Sequence, residues 1–302
     1  MDKTSITALM SAFGRAYHAL NADNPIFFDA KVRELMSDEE YSQISDYING
    51  GIDFFAPDKK DSFENREEAL KYLVNTQIAP TPLARAAFCE DALKTSTQTG
   101  TQQYVILGAG LDTFAFREQE FMKKYDVFEV DHPLTQEDKK NRIERAGWTV
   151  PEKLHFVPID FTKDSIGEKL IEAGFSLEKK TFFSWLGVSM YLDRQAIQNM
   201  LLNIAAISAD GSDFVFDYAD EGLFLSNVKR VQNMIAMAKA GGEEMKSSFD
   251  QMSMELMLSE YDFLTYEHLN YHEIQNRFFS GRNDWLSAFE HISYAHAVLR
   301  KY

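Results

Sequence analysis

The sequence predicts an α/β fold built on a doubly wound parallel sheet, and three features carry that expectation. Short β-rich runs alternate with stretches long enough for crossover helices. The runs are apolar almost throughout, as in strands covered on both faces. The first of them runs straight into a glycine turn, "VILGAG" (105–110), and ligands bind at such strand ends in open parallel sheets.

Residues 1 to about 100 are helical in texture and lack strand-like alternation. "SDEE", Ser37 to Glu40, fits a capping box that opens one helix. "PLARAAFCEDALKTS" (82–96) reads as another, with proline near its first turn. Strands are expected in "QYVILG", "DVFEVD", "LHFVPID", "KTFFSWLG" and "SDFVFDY", with crossover helices at 112–124, 134–146, 163–174 and 193–209. A helical insert rich in Met and Glu fills 219–260, and "YDFLTYEHL" (261–269) and "HISYAHAVL" (291–299) close the fold as a strand pair. One domain is therefore expected over 1–302, with a cap at 1–80, a core at 81–218, an insert at 219–260 and closing strands at 261–302.

The chain carries 47 acidic and 31 basic residues, a formal charge of −16. Such a surface repels phosphate backbones and anionic lipid, so neither nucleic acid nor membrane is expected as a partner. A single cysteine, Cys89, excludes an internal disulfide and a thiolate metal cluster, and no metal site is expected. The amino terminus lacks an apolar core of signal-peptide length, and no uncharged run reaches spanning length. A cytoplasmic setting is the expectation. Nothing in the sequence sets an oligomeric state.

The glycine turn raises a question of chemistry. Gly108-Ala109-Gly110 lets the backbone approach a ligand, but the third glycine of a dinucleotide pattern would fall at Thr113. The second strand ends in Glu129 and Asp131, carboxylates suited to ribose hydroxyls. A dinucleotide pyrophosphate needs a bare, positive helix start. S-adenosylmethionine carries a sulfonium and an amino group instead, so Asp112 beside the loop and Thr113 suit it better. A plain strand–helix turn with incidental glycines is the structural alternative.

"LARAAFCEDAL", "VILGAGLDTFAF", "FEVDHP", "VPIDF" and "GVSMYL" follow one another in an order that resembles the class I methyltransferases of the leucine carboxyl methyltransferase type and their bacterial polyketide-type O-methyltransferase relatives. The resemblance covers about 82–218 and extends loosely into cap and tail. It implies a seven-stranded sheet with the last strand antiparallel. Arg85 would pair with the carboxylate of S-adenosylmethionine, Gly108 and Gly110 would admit its methionine part, and Asp131, with Glu129 as neighbour or substitute, would hold the ribose. Asp160 and Phe161 would flank the adenine. Each has a structural reading too: a surface arginine, solvated strand-end acids, a helix cap and a core aromatic. Where the family commonly has a glutamate before "G-V-x-x-Y-L", Leu186 stands here; Ser184 or a backbone carbonyl would have to replace it.

The implied activity is S-adenosylmethionine-dependent O-methylation of a carboxylate or hydroxyl on a small molecule or peptide. A non-catalytic relative and an NAD-dependent oxidoreductase are the rival readings. A carboxylate acceptor needs no general base, whereas an alcohol benefits from one, most often histidine. His132 adjoins the ribose site but, followed by Pro133, reads as structural; His268 and His272 could reach a pocket mouth, and His291 and His296 read as core or surface histidines. Tyr191, on the substrate side after the fourth strand, is the expected acceptor contact, or else a packed tyrosine with a wet hydroxyl. Cap and insert are expected to fold together over the cofactor as an acceptor pocket, the alternative being helices on the outer faces of the sheet.

Overall fold

The computed structural model describes residues 5–160 and 164–301. The cap holds helices α1 (Ile6–Asn21), α2 (Asp38–Gly50), α3 (Arg66–Leu73) and α4 (Pro80–Gln98). The core follows as β1 (Gln103–Leu107), β2 (Asp126–Asp131), α5 (Pro133–Arg145), β3 (Leu154–Pro158), α6 (Ile166–Glu172), β4 (Thr181–Trp185), α7 (Arg194–Ile207) and β5 (Asp213–Ala219). The rest is α8 (Lys229–Ala240), α9 (Gln251–Ser259), β6 (Phe263–Leu269) and β7 (Ile292–Leu299), with shorter helical turns between. No helix among the described residues is long and apolar enough to cross a membrane.

Local chemistry places the helix starts. Ser37 caps α2 by accepting from the Glu40 N–H at 3.1 Å, but the reciprocal half of the expected capping box is missing. The Glu40 carboxylate turns instead to Arg142 of α5, at 2.7 and 2.9 Å. Proline opens α4 and α5, where its missing N–H costs nothing. Asp193 and Asp250 cap α7 and α9.

The strands form one sheet in the order β3-β2-β1-β4-β5-β7-β6. The first five are parallel, and β7 runs antiparallel between β5 and β6. This is the seven-stranded doubly wound arrangement with its last strand reversed. β1, β4 and β5 are buried at every position because helices cover both faces. Val105, Phe128, Phe183 and Phe214 face α6, α7 and α9, while Tyr104, Ile106, Phe182 and Val215 face the cap and α8. The insert is thus divided: α8 joins the cap on one face, α9 covers the other, and 241–250 links them across the sheet's carboxyl edge.

At the opposite edge a buried polar cluster ties α4 to the sheet. Asp213 accepts from Ser96, pairs with Lys180 at 3.1 Å and bonds the His296 ring at 2.8 Å. The cluster contains serine, histidine and aspartate, but the carboxylate is the hub and the hydroxyl does not bond the imidazole. It is an anchor, with no nucleophile–base pair.

His18 locks the cap loop that follows α1: its Nε2 accepts from the Ile26 N–H at 2.9 Å, which requires a neutral ring. Burial, reinforced by Arg282, holds its pKa down at about 4. The neutral form is therefore favoured on folding. Its contribution, about 2 kcal/mol, should be complete above the unfolded value of about 6.5 and vanish as pH falls toward 4. Urea midpoints measured from pH 7 to 4 should fall more steeply for the native protein than for His18→Gln.

Candidate active site

A cavity of about 820 Å³ opens at the carboxyl ends of β1 and β4, where the winding reverses. Its walls come from the start of α1, residues 77–86, the loops after β1, β2 and β4, and the insert from Met234 to Lys246.

The loop after β1 has a shape only glycine takes without strain. Gly108 and Gly110 have φ of 69° and 50°, in the left-handed region. A Cβ on Gly108 would lie 2.7 Å from a Val188 methyl. The Gly110 N–H donates to Asp131 Oδ2 at 2.5 Å, and the His132 N–H donates to Oδ1 at 2.7 Å. Burial raises the pKa of that carboxyl, and the two backbone donors oppose the rise. Asp112 turns inward to accept from the Phe114 N–H at 2.7 Å.

Thr113, where a third glycine would stand, uses its side chain. The hydroxyl donates to Asp29 Oδ1 at 2.7 Å and accepts from Arg117 Nε at 3.0 Å. Asp29 is fully buried. It also receives Arg15 at 2.5 Å and the Val32 N–H at 3.2 Å, and Arg15 reaches on to the Leu111 carbonyl at 2.8 Å. The cap and the glycine loop thus share one carboxylate.

Arg85 projects from α4 over Gly187. A Cβ at Gly187 would come within 2.5 Å of the guanidinium, and its φ of 73° suits glycine. Asp217 of β5, fully buried, holds the arrangement: Oδ2 accepts from Arg85 at 3.1 Å and Oδ1 from the Gly187 N–H at 2.6 Å. Leu186 lines the cavity without a charge, and Asp217 brings a carboxylate to the neighbouring strand end.

Arg85, Gly108, Ala109, Gly110, Asp112, Asp131, Ser184 and Tyr191 all line the cavity. Glu129 does not. It is buried beneath α5, where Oε2 pairs with Lys139, while its Oε1 and the Gln136 Oε1 have no hydrogen-bond partner among the described residues. Burial pushes its carboxyl up to about 7. Asp160, beyond β3, donates its N–H to Asp164 at 2.8 Å and is not among the lining residues. Phe161 lies outside the described residues. Ser184 is committed to the Tyr104 hydroxyl at 2.9 Å. Tyr191 sits in a helical turn after β4, and burial pushes its phenol up to about 12.

The histidines expected at a pocket mouth are elsewhere. His268 bonds the Tyr218 hydroxyl at 2.8 Å, on the face of the sheet that packs against α9, and His272 is exposed beyond β6. His291 bonds Asp220 at 2.7 Å. His132 lines the cavity at its β2 end, with Nδ1 accepting from the Leu134 N–H. Of the methionines in the insert, Met234, Met237 and Met245 line the cavity, Met254 and Met257 pack beneath the sheet, and Met252 is exposed.

Residues 8–205 match the family model described as leucine carboxyl methyltransferase. The chain belongs to the leucine carboxyl methyltransferase family. A Bacillus subtilis (strain 168) relative, YktD, named as a candidate S-adenosyl-L-methionine-dependent methyltransferase, is 46% identical over 301 residues and covers 98% of each chain. A relative of the same description from Mycolicibacterium paratuberculosis is 30% identical over 238 residues, 79% of this chain and 73% of the other. The solved structure of a candidate methyltransferase from Thermobifida fusca matches in fold, with a TM-score of 0.56 at 12% identity over 99% of this chain and 96% of that one. As a member of this family the chain is an S-adenosylmethionine-dependent methyltransferase, and the dinucleotide reading falls away.

Removing the shared carboxylate should leave the buried Arg15 guanidinium without a counter-ion and the Thr113 hydroxyl without its acceptor. Asp29→Ala is expected to lose about 3–5 kcal/mol of stability, read from urea denaturation. Thr113→Val, a milder change, should leave the fold intact and weaken S-adenosylhomocysteine binding severalfold in calorimetry.

Proposed function

We propose that the enzyme is an O-methyltransferase whose acceptor is a carboxylate of a small molecule or peptide. The observation that carries this reading is that, among the described residues, no histidine lines the insert side of the cavity and the two carboxylates there are already engaged. Both oxygens of Glu243 take hydroxyl donors from Ser5 and Thr7, and Glu244 pairs with Lys239 at 3.0 Å. The Tyr191 phenol, near 12, stays protonated at neutral pH. An alcohol would need a base there; a carboxylate arrives ionised.

The residues present fit S-adenosylmethionine. Gly108 and Gly110 hold left-handed backbone that lines the cavity, and Arg85 and Asp131 set a cation and an anion on either side of the glycine loop. When bound, the cofactor supplies a methyl group already activated on a sulfonium. Arg85 would hold the cofactor carboxylate through the part of the guanidinium that Asp217 does not use. Asp131 accepts from the ribose with the lone pairs its two backbone donors do not use. Asp112 and the backbone from Gly108 to Gly110 would hold the amino acid part, with Ser184, bonded to Tyr104, in the same lining. Tyr191 orients the acceptor, and the chain's catalytic contribution is orientation and the exclusion of water.

S-adenosylhomocysteine should bind and NAD should give no heat. Arg85→Ala and Asp131→Ala should each weaken that binding more than tenfold, about 1.4 kcal/mol or more. With methyl-labelled cofactor, the product should release labelled methanol in mild base, as an ester does. A base-stable label would overturn the carboxylate reading.

A further inference from the structure

Three cationic side chains of lysine or arginine line the cavity: Arg15, Arg85 and Lys246. The first two are committed to buried carboxylates, at Asp29 and Asp217. Lys246 has no carboxylate partner among the described residues. The nearby acids are engaged: Glu243 by Ser5 and Thr7, Glu244 by Lys239 at 3.0 Å. The main chain fixes where Lys246 stands. Its N–H donates to the Met190 carbonyl at 2.8 Å, and the Ser247 hydroxyl donates to the Ser189 carbonyl at 3.3 Å. Lys246 is thereby stitched beside the turn that carries Tyr191.

The same cavity is lined by Met10, Met190, Met234, Met237 and Met245 together with Phe289. Five thioethers make a soft, adaptable lining. Gln77 and Thr81 are neutral polar groups at the cap side. A chain with a formal charge of −16 repels anions at long range, so an anionic acceptor needs a local cation, and Lys246 is exposed at the cavity without a carboxylate partner among the described residues.

We infer that Lys246 is the acceptor-recognition residue, and that the acceptor is an amphipathic monocarboxylic acid: its carboxylate pairs with the Lys246 ammonium beside the turn that carries Tyr191, and its apolar body rests on the methionines that line the cavity. This rests on the carboxylate reading above and names the class of acid. Methylation joins a carboxylate oxygen to the methyl carbon as the carbon–sulfur bond breaks, and sulfur keeps the electron pair. No proton moves, and the ester is neutral. Lys246 therefore holds the substrate and not the product.

Octanoate and phenylacetate are the probes, with succinate, glycolate and 1-octanol for comparison. Titrated into full-length protein loaded with S-adenosylhomocysteine, the two apolar acids should bind and the other three should not. Lys246→Ala should weaken octanoate binding about tenfold or more, and Lys246→Arg should restore it. Cofactor affinity measured in the same samples reports that the cofactor half is intact. No binding by either apolar acid, tighter binding by succinate or glycolate, or unchanged octanoate affinity in Lys246→Ala would each overturn the assignment. Failure of the carboxylate reading is seen separately, as base-stable methylation in the transfer assay.

Discussion

The buried carboxylate of Asp29 is the constraint on which the glycine-loop end of the cavity rests. An isolated carboxylate at that depth would be strongly disfavoured, and so would the Arg15 and Arg117 guanidinium groups around it. Together they neutralise one another, and each carries a further bond: Arg15 to the Leu111 carbonyl, Arg117 to Glu90 at 2.5 Å. The glycine turn is intrinsically loose because glycine permits so many conformations. Its fixed shape comes from outside, from a cap residue some eighty positions earlier in the chain.

Much of the core was legible. Strand and helix periods, the glycine turn and the closing strand pair are local signals, and all seven strands lie where the pattern puts them. Residue depth was not legible. Glu129 and Asp131 sit two apart on β2 and point to the same side, yet one lies under α5 against Lys139 and the other reaches the cavity. Only the packing of α5 separates them. Thr113 was visible as a departure from a dinucleotide turn, but its partner Asp29 was not, because nothing local links the two positions.

Other residues at the cavity left a trace that composition can hide. Asp217 interrupts the apolar strand "FVFDYA", and an acid inside a fully buried strand demands a cation from elsewhere. Asp29 interrupts "PIFFDAKV" in the same way. Both demands are met by arginines on cap helices, Arg85 and Arg15. The methionines of the insert could not be apportioned from sequence, since α8 and α9 fall on opposite faces of the sheet.

The contact of Glu243 with Ser5 joins residues 238 apart in sequence, and the bond from Arg282 to the Asn24 carbonyl joins residues 258 apart. Closing such long loops is slow compared with pairing neighbouring strands. During synthesis the parallel strands can assemble as they emerge, while the roof of the cavity must wait for α8 and the segment after it. A nascent chain that ends before Lys246 has a glycine turn and a sheet but no closed chamber. The insert wall of the cavity, Met234 to Lys246, is therefore synthesised only after the glycine loop and the first five strands.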